Sequence, residues 1–339
     1  MQPVFVTGAT GFLGAHLVCA LLQKGHSVKA LKRPQSAMNE FNFISGLYFG
    51  QASKLGVKNL EWVEGDINDY DSLEENIVVG QFVYHCAALV SFSQADKALL
   101  FKTNVKGTEN IVNACIEKKC GKLIYVSSTA AVGRAASGEL SEETNEWDEN
   151  DKPSNYAISK YYAELEVWRG IEEGLNAVIV NPPLIIGPCN WQKTTGRFFI
   201  NASQNFPFYT SGSNSFVYVK DVCTAMILLA ESVIHSERFL VVGENMKWRE
   251  FMNTVSDAMG KKRPFIKVTS WITGIAWRLF GVISFLTGNS AMVTKESANS
   301  SLQKISFSNK KLKEALNFEF TPISKAIIQT AKNFDLKSF

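Results

Sequence analysis

Between Met1 and Asn39 the chain carries no aspartate or glutamate; its first carboxylate is Glu40. Histidine is scarce, four in 339 residues, and none has metal-ligand spacing, so no metal centre is expected. The six cysteines, at 19, 86, 115, 120, 189 and 223, form no Cys-x-x-Cys pair, and several lie in apolar stretches where a reduced thiol packs as a small hydrophobe. A net charge of +3 gives no electrostatic footprint for DNA or RNA. Nor is any apolar run free enough of interruption to predict a membrane span: the most apolar, 271–288, contains Arg278 and two internal glycines. Its Trp271, Ile275, Leu279, Val282 and Leu286 recur at helical spacing, which reads as a core helix or, alternatively, an apolar lid near a greasy substrate. The first apolar run begins by residue 4, leaving no room for a signal peptide before it and making a cytoplasmic protein the expectation.

What is present is an ordinary globular composition, 46% hydrophobic and 20% charged, arranged in a regular rhythm. Runs rich in β-branched residues at 4–8, 28–31, 60–63, 82–89, 122–128 and 176–187 alternate with helix-like segments. That is the pattern of a parallel sheet with helices on both faces, whose ligands bind at the carboxyl ends of the strands. Beyond residue 188 the rhythm loosens, with later strands at 216–219 and 238–243 placed to extend the first sheet, and 248–339 reads as largely helical.

The first strand breaks into Gly8, Gly11 and Gly14 before the first helix. Glycine permits backbone angles and close approaches that a Cβ forbids, and a helix starting there points free N–H groups at an anion. Strand before, helix after and a second strand about twenty residues on suit a dinucleotide diphosphate. That second strand ends in Lys32, Arg33 and Pro34. An NAD site usually has a carboxylate there for the ribose hydroxyls, whereas cations accommodate a 2′-phosphate, so NADP(H) is expected over NAD(H) unless both side chains merely face solvent.

Tyr156 and Lys160 stand four apart in NYAISKYYAELEVW, on one face of a predicted helix. A phenol titrates near 10, and a neighbouring ammonium should bring it toward neutrality, where it can serve as acid or base. Ser127 and Ser128 end the strand KLIYVSS. With these in order, the chain resembles the extended short-chain dehydrogenase/reductase family through TGATGFLG (7–14), GDI (65–67), HCAA (85–88), YVSSTAAVG (125–133), YAISK (156–160) and NPPLIIGP (181–188).

The resemblance covers residues 1 to about 245 and implies an α/β fold: a Rossmann-type doubly wound parallel sheet with a smaller, mostly helical C-terminal lobe. Residues 1–187, completed by the strands near 216–219 and 238–243, would bind NADP(H), and 188–339 would form a partly interleaved substrate lobe. It implies Tyr156 as acid or base, Lys160 tuning it and holding the nicotinamide ribose, and Ser128, or Thr129 one residue on, bonding the reacting oxygen. Gly8, Thr10, Gly11, Phe12, Leu13 and Gly14 would form the cofactor turn, Asp66 and Ile67 flank the adenine, and Ala87 and Ala88 line the cofactor. Pro182, Pro183 and Leu184 would border the nicotinamide. Asn104 matches a position that supports the site, or else simply caps a helix.

Two departures separate the chain from sugar-nucleotide members: Gly133-Arg134 stands where those often show Tyr-Gly, and Asn181 replaces the arginine of their RPP stretch. The pattern looks more like the branch with dihydroflavonol reductases, cinnamoyl-CoA reductases and 3β-hydroxysteroid dehydrogenases. The expected activity is therefore hydride transfer between NADP(H) and a carbonyl or secondary alcohol of a fairly apolar small molecule. A sugar-nucleotide epimerase or dehydratase, and a non-catalytic NADP(H)-binding regulator, are the alternatives. The aromatics at 191, 198, 199, 206, 208, 209 and 216 are either core or cleft lining, and Lys193 and Arg197 could meet an anion. Family members often dimerise through two helices, so a homodimer is possible here.

Overall fold

The computed structural model describes residues 4–50, 57–136, 138–192, 195–268 and 302–335. Six strands follow the predicted rhythm: β1 (Val4–Thr7), β2 (Val28–Lys32), β3 (Leu60–Glu64), β4 (Phe82–His85), β5 (Lys122–Val126) and β6 (Ala177–Asn181). After them come β7 (Leu184–Ile186), β8 (Phe208–Tyr209), β9 (Ser213–Tyr218), β10 (Glu237–Leu240), β11 (Glu244–Lys247) and β12 (Ile266–Lys267). Seven strands form one parallel sheet in the order β3-β2-β1-β4-β5-β6-β10, so the order reverses between β1 and β4.

Because the central strands are apolar at most positions and nearly all buried, both faces of the sheet are covered. Val4, Val6, Ile124, Val178 and Val180 pack on one face with α1 (Phe12–Gln23), α2 (Asn39–Phe49) and α8 (Val219–Glu231). Phe5, Val83, Leu123, Tyr125 and Ile179 pack on the other, with α3 (Tyr70–Glu74), α5 (Gly107–Glu117) and α6 (Asn155–Glu172). Between α3 and α5 stand α4 (Lys97–Leu100) and a π-helical stretch, Phe101–Lys106.

The strand expected at 216–219 does not extend this sheet. It is β9, which pairs parallel with β7 and antiparallel with β11 in a separate three-stranded sheet. The cause lies in Pro182-Pro183: two residues without N–H groups end the β6 ladder, and the chain leaves to start β7 elsewhere. The strand expected at 238–243 stays beside β6 as β10 only to Leu240, then departs for β11. The remaining described helices, α7 (Gly196–Ser203), α9 (Trp248–Ala258), α10 (Lys310–Leu316) and α11 (Ile323–Ala331), lie in this later half. Trp191, Phe199, Phe216, Trp248, Phe251 and Ile327 make its separate core. Lys193 and the segment 271–288 fall outside the described residues. No helix among the described residues is long and apolar enough to cross a membrane.

Candidate functional site

The three glycines have three different reasons. Gly8 adopts φ +71°, and a Cβ on it would sit 2.6 Å from the Ala87 nitrogen, where the end of β4 presses on the turn. A Cβ on Gly14 would sit 2.1 Å from the Gly8 oxygen, so the helix could not close on the strand. Gly11 meets only the Gly8 oxygen, at 3.4 Å, and is the N-cap of α1. No side chain caps that helix and no acid stands in its first turn, so its leading N–H groups remain for an anion. Thr10, Gly11, Phe12 and Leu13 are half-buried around this turn. The Phe12 ring turns away, edge-on to His16 at 5.5 Å, leaving the backbone to line the turn.

At the end of β2, Lys32 reaches Glu64 of β3 at 3.5 Å and Arg33 is exposed. The Ser36 hydroxyl accepts from the Arg33 N–H at 3.2 Å and closes that loop, a feature sequence reasoning passed over. Asp66 accepts from the backbone and side-chain nitrogens of Asn68, both at 2.9 Å, while Ile67 is buried against Gly107. Ala87 is half-buried and Ala88 exposed. Beneath them runs a chain of neutral groups. Thr108 donates to Asn104 O (2.6 Å), so its oxygen accepts from His85 Nε2 (3.1 Å); His85 Nδ1 then accepts from Thr7 Oγ1 (2.7 Å), which accepts from the Ala87 N–H (3.3 Å). Burial drives the pKa of His85 down to about 3, keeping the ring neutral and the chain directional. Asn104 is neither a helix cap nor aimed at the turn: its amide bonds Leu89 N and O and Ser159.

Ser154 caps α6 through the Ala157 N–H, at 3.1 Å, which sets Tyr156 in the first turn and Lys160 one turn on. Ser127 N bonds Val180 O and Thr129 N bonds Pro182 O, so the β5–β6 pairing continues past both strand ends and fixes the serines beside α6. The Ser128 side chain, half-buried, hydrogen-bonds Tyr156; Thr129 is buried. Pro182 is buried and Pro183 and Leu184 are half-buried next to them.

The electrostatics depart from expectation. Burial holds the Tyr156 phenol above its ordinary pKa, only partly offset by the Ser128 bond. Lys160 does not counter it, because its amine donates instead to Tyr125 Oη and Val126 O, both at 2.8 Å. Burial brings Lys160 down to about 7, against the favourable charge of Glu164. Glu164 is a further residue that sequence reasoning missed, although it follows Lys160 by the same four-residue step. It is buried, accepts from Asn181 Nδ2 at 2.8 Å and Arg238 Nη1 at 2.9 Å, and Asn181 also donates to Ser128 O at 3.0 Å.

Beside Tyr156 lies Phe92, which meets its ring at 5.8 Å and is 43% exposed; Val90, two residues earlier in the chain, is 50% exposed. Of the later aromatics, Trp191, Phe198, Phe199 and Phe216 belong to the core, whereas Phe206 and Phe208 are exposed and Tyr209 lies under Arg249 at 4.9 Å. Arg197 is exposed. A Cβ on Gly133 would lie 1.8 Å from Glu146 O, so no tyrosine fits at this point of the chain.

The profile of the NAD dependent epimerase/dehydratase family matches residues 4–243. A Synechocystis sp. protein named "Putative dihydroflavonol 4-reductase" is 30% identical over 331 residues, 95% of this chain and 92% of that one. Cinnamoyl-CoA reductase 1 of Petunia hybrida is 29% identical over 350 residues, covering 99% and 93%. The crystal structure of gox2253 superposes with a TM-score of 0.81 at 31% identity, covering 98% of each chain. On these matches, and on the sheet order and glycine turn that accompany them, the chain belongs to the NAD dependent epimerase/dehydratase family.

Proposed function

We propose that the protein is an NADP(H)-dependent reductase or dehydrogenase acting on a carbonyl or secondary alcohol of a fairly apolar small molecule. The observation that carries this reading is the phenol of Tyr156, bonded to Ser128, on the same strand-end edge as an uncapped glycine turn. The turn fits a dinucleotide: Gly8 and Gly14 are obligatory for its shape, while Gly11 leaves the helix end open. A nicotinamide held there would supply or accept the hydride. In the direction of reduction, Tyr156 gives its proton to the substrate oxygen, and Ser128 donates a hydrogen bond to that oxygen. Lys160, its amine anchored on β5 by Tyr125 Oη and Val126 O, holds the ribose.

Preference for NADP(H) is supported by Lys32 and Arg33 at the end of β2, with the neighbouring Glu64 occupied by Lys32. The apolar substrate is supported by exposed Phe92 beside Tyr156, and by the reductase names of the relatives. Gly133 argues against the sugar-nucleotide alternative, since the backbone of Glu146 fills the space a tyrosine would take. Exposed Leu99 on α4 with Tyr162 and Leu165 on α6 supports a homodimer. The six free cysteines suit a reducing compartment such as the cytoplasm. The test is a panel of apolar aldehydes and ketones with NADPH or NADH. Net NADPH oxidation is the expected result, and conversion of a sugar nucleotide without net cofactor change would replace this reading with the alternative.

A further inference from the structure

On the face of the sheet covered by α5 and α6, the last register of the central strands is polar. Thr7 pairs with His85 and His85 with Tyr125 across β1, β4 and β5, where the rest of that face is aliphatic or aromatic core. Tyr125 has no exposure, yet its hydroxyl is fully used: it accepts from Lys160 Nζ at 2.8 Å and hydrogen-bonds Thr108. Since an ammonium can only donate, the phenol proton goes to Thr108, whose own proton goes to Asn104 O at 2.6 Å. The ring is held as well, tilted against His85 at 5.6 Å, with the Lys160 amine 4.6 Å from its centre. The Val126 carbonyl takes a second N–H of the amine. Two of three donors are therefore spent on β5, and their directions fix the third.

We propose that Tyr125 is the positioning residue for Lys160: its oxygen, oriented by Thr108 and joined by Val126 O, aims the remaining ammonium N–H at the ribose of the bound dinucleotide. The proposal rests on the reading of Tyr156 and Lys160 given above. It concerns a second tyrosine, on β5 rather than α6, that never touches substrate. Groups facing the amine are Glu164 on α6, Tyr125 on β5, and His85 and Cys86 at the end of β4. Of these, burial keeps His85 neutral and raises the Cys86 thiol to about 12, so neither titrates near neutrality.

The experiment uses Tyr125→Phe in the full chain, which keeps the ring and removes only the acceptor. NADPH affinity is read by fluorescence from about pH 6 to about pH 9, alongside kcat, carbonyl KM and thermal midpoint. In the wild type, affinity weakens as pH rises through the Lys160 transition. In the variant that transition moves down by about half a pH unit or more, because the ammonium has lost an acceptor, and kcat falls about ten-fold with KM within about two-fold. Superimposable affinity and kcat profiles overturn the proposal. So does a wild-type affinity without a transition, or a loss of activity that tracks the thermal midpoint with the transition unmoved. If the wild type binds NADPH but turns over no carbonyl, the functional reading fails while the binding curves still judge Tyr125.

Discussion

At the scale of single residues, the proposed site divides between Tyr156, its proposed proton donor, and the groups that hold it. Replacing Tyr156 with Phe removes the donor but keeps the ring against Phe92. NADPH affinity should stay within about three-fold of wild type while kcat drops roughly a hundred- to ten-thousand-fold, measured by fluorescence titration and steady-state assay. Gly14→Ala acts differently, since its Cβ would lie 2.1 Å from a backbone oxygen that cannot move aside. The expected result is a loss on the order of 3 kcal/mol or more by urea unfolding, with NADPH binding lost in parallel. Both residues were legible in the sequence because local spacing announces them. Tyr125 was not: nothing in YVSS says that its hydroxyl faces Lys160, since that contact joins residues 35 apart and depends on how α6 crosses β5. For the same reason spacing predicted an amine beside the Tyr156 phenol, whereas the structure turns it to the strand.

At the scale of elements, α6 is held to the sheet by a buried ion pair. Glu164 and Arg238 meet at 2.9 Å with side chains 2% and 19% exposed, and Arg238 also donates to Glu143 O at 2.9 Å. The arginine absent from position 181 thus has a counterpart on β10, and Asn181 supplies a neutral bond to the same carboxylate. Arg238→Met leaves that carboxylate buried without its cation and should cost about 3–5 kcal/mol in urea unfolding; adding Glu164→Gln should recover part of the loss. The helices and first six strands could be read from apolar periodicity. The destination of β9 could not, because its apolar end, Phe216-Val217-Tyr218, fits either sheet and only the proline break before β7 decides which.

At the scale of the whole molecule, two fully buried histidines make stability depend on pH. Burial lowers His16 to about 4 and His85 to about 3 from an ordinary 6.5. Between those values the unfolded chain binds protons that the folded one refuses, so stability is lost as pH falls below 6.5. Each histidine contributes a slope of about 1.4 kcal/mol per pH unit in that window, with Asp221, held above its usual range by burial, acting in the opposite sense. Urea midpoints at about pH 6.5 and about pH 4.5 test it; a flat profile would exclude neutral burial of both rings. Assembly is a separate question: if the faces of α4 and α6 pair, Leu165→Glu should convert a dimer to a monomer in sedimentation velocity without changing NADPH affinity.

The chain passes between its two larger sheets three times, at Pro182-Pro183, at the Tyr218–Val219 junction of β9 with α8, and at the three residues between β10 and β11. Joints this short act as stitches rather than hinges, and one is made of residues whose φ is locked. The two sheets are thereby held to one another as a single framework, and Phe92, exposed against the Tyr156 ring, stands clear of all three joints.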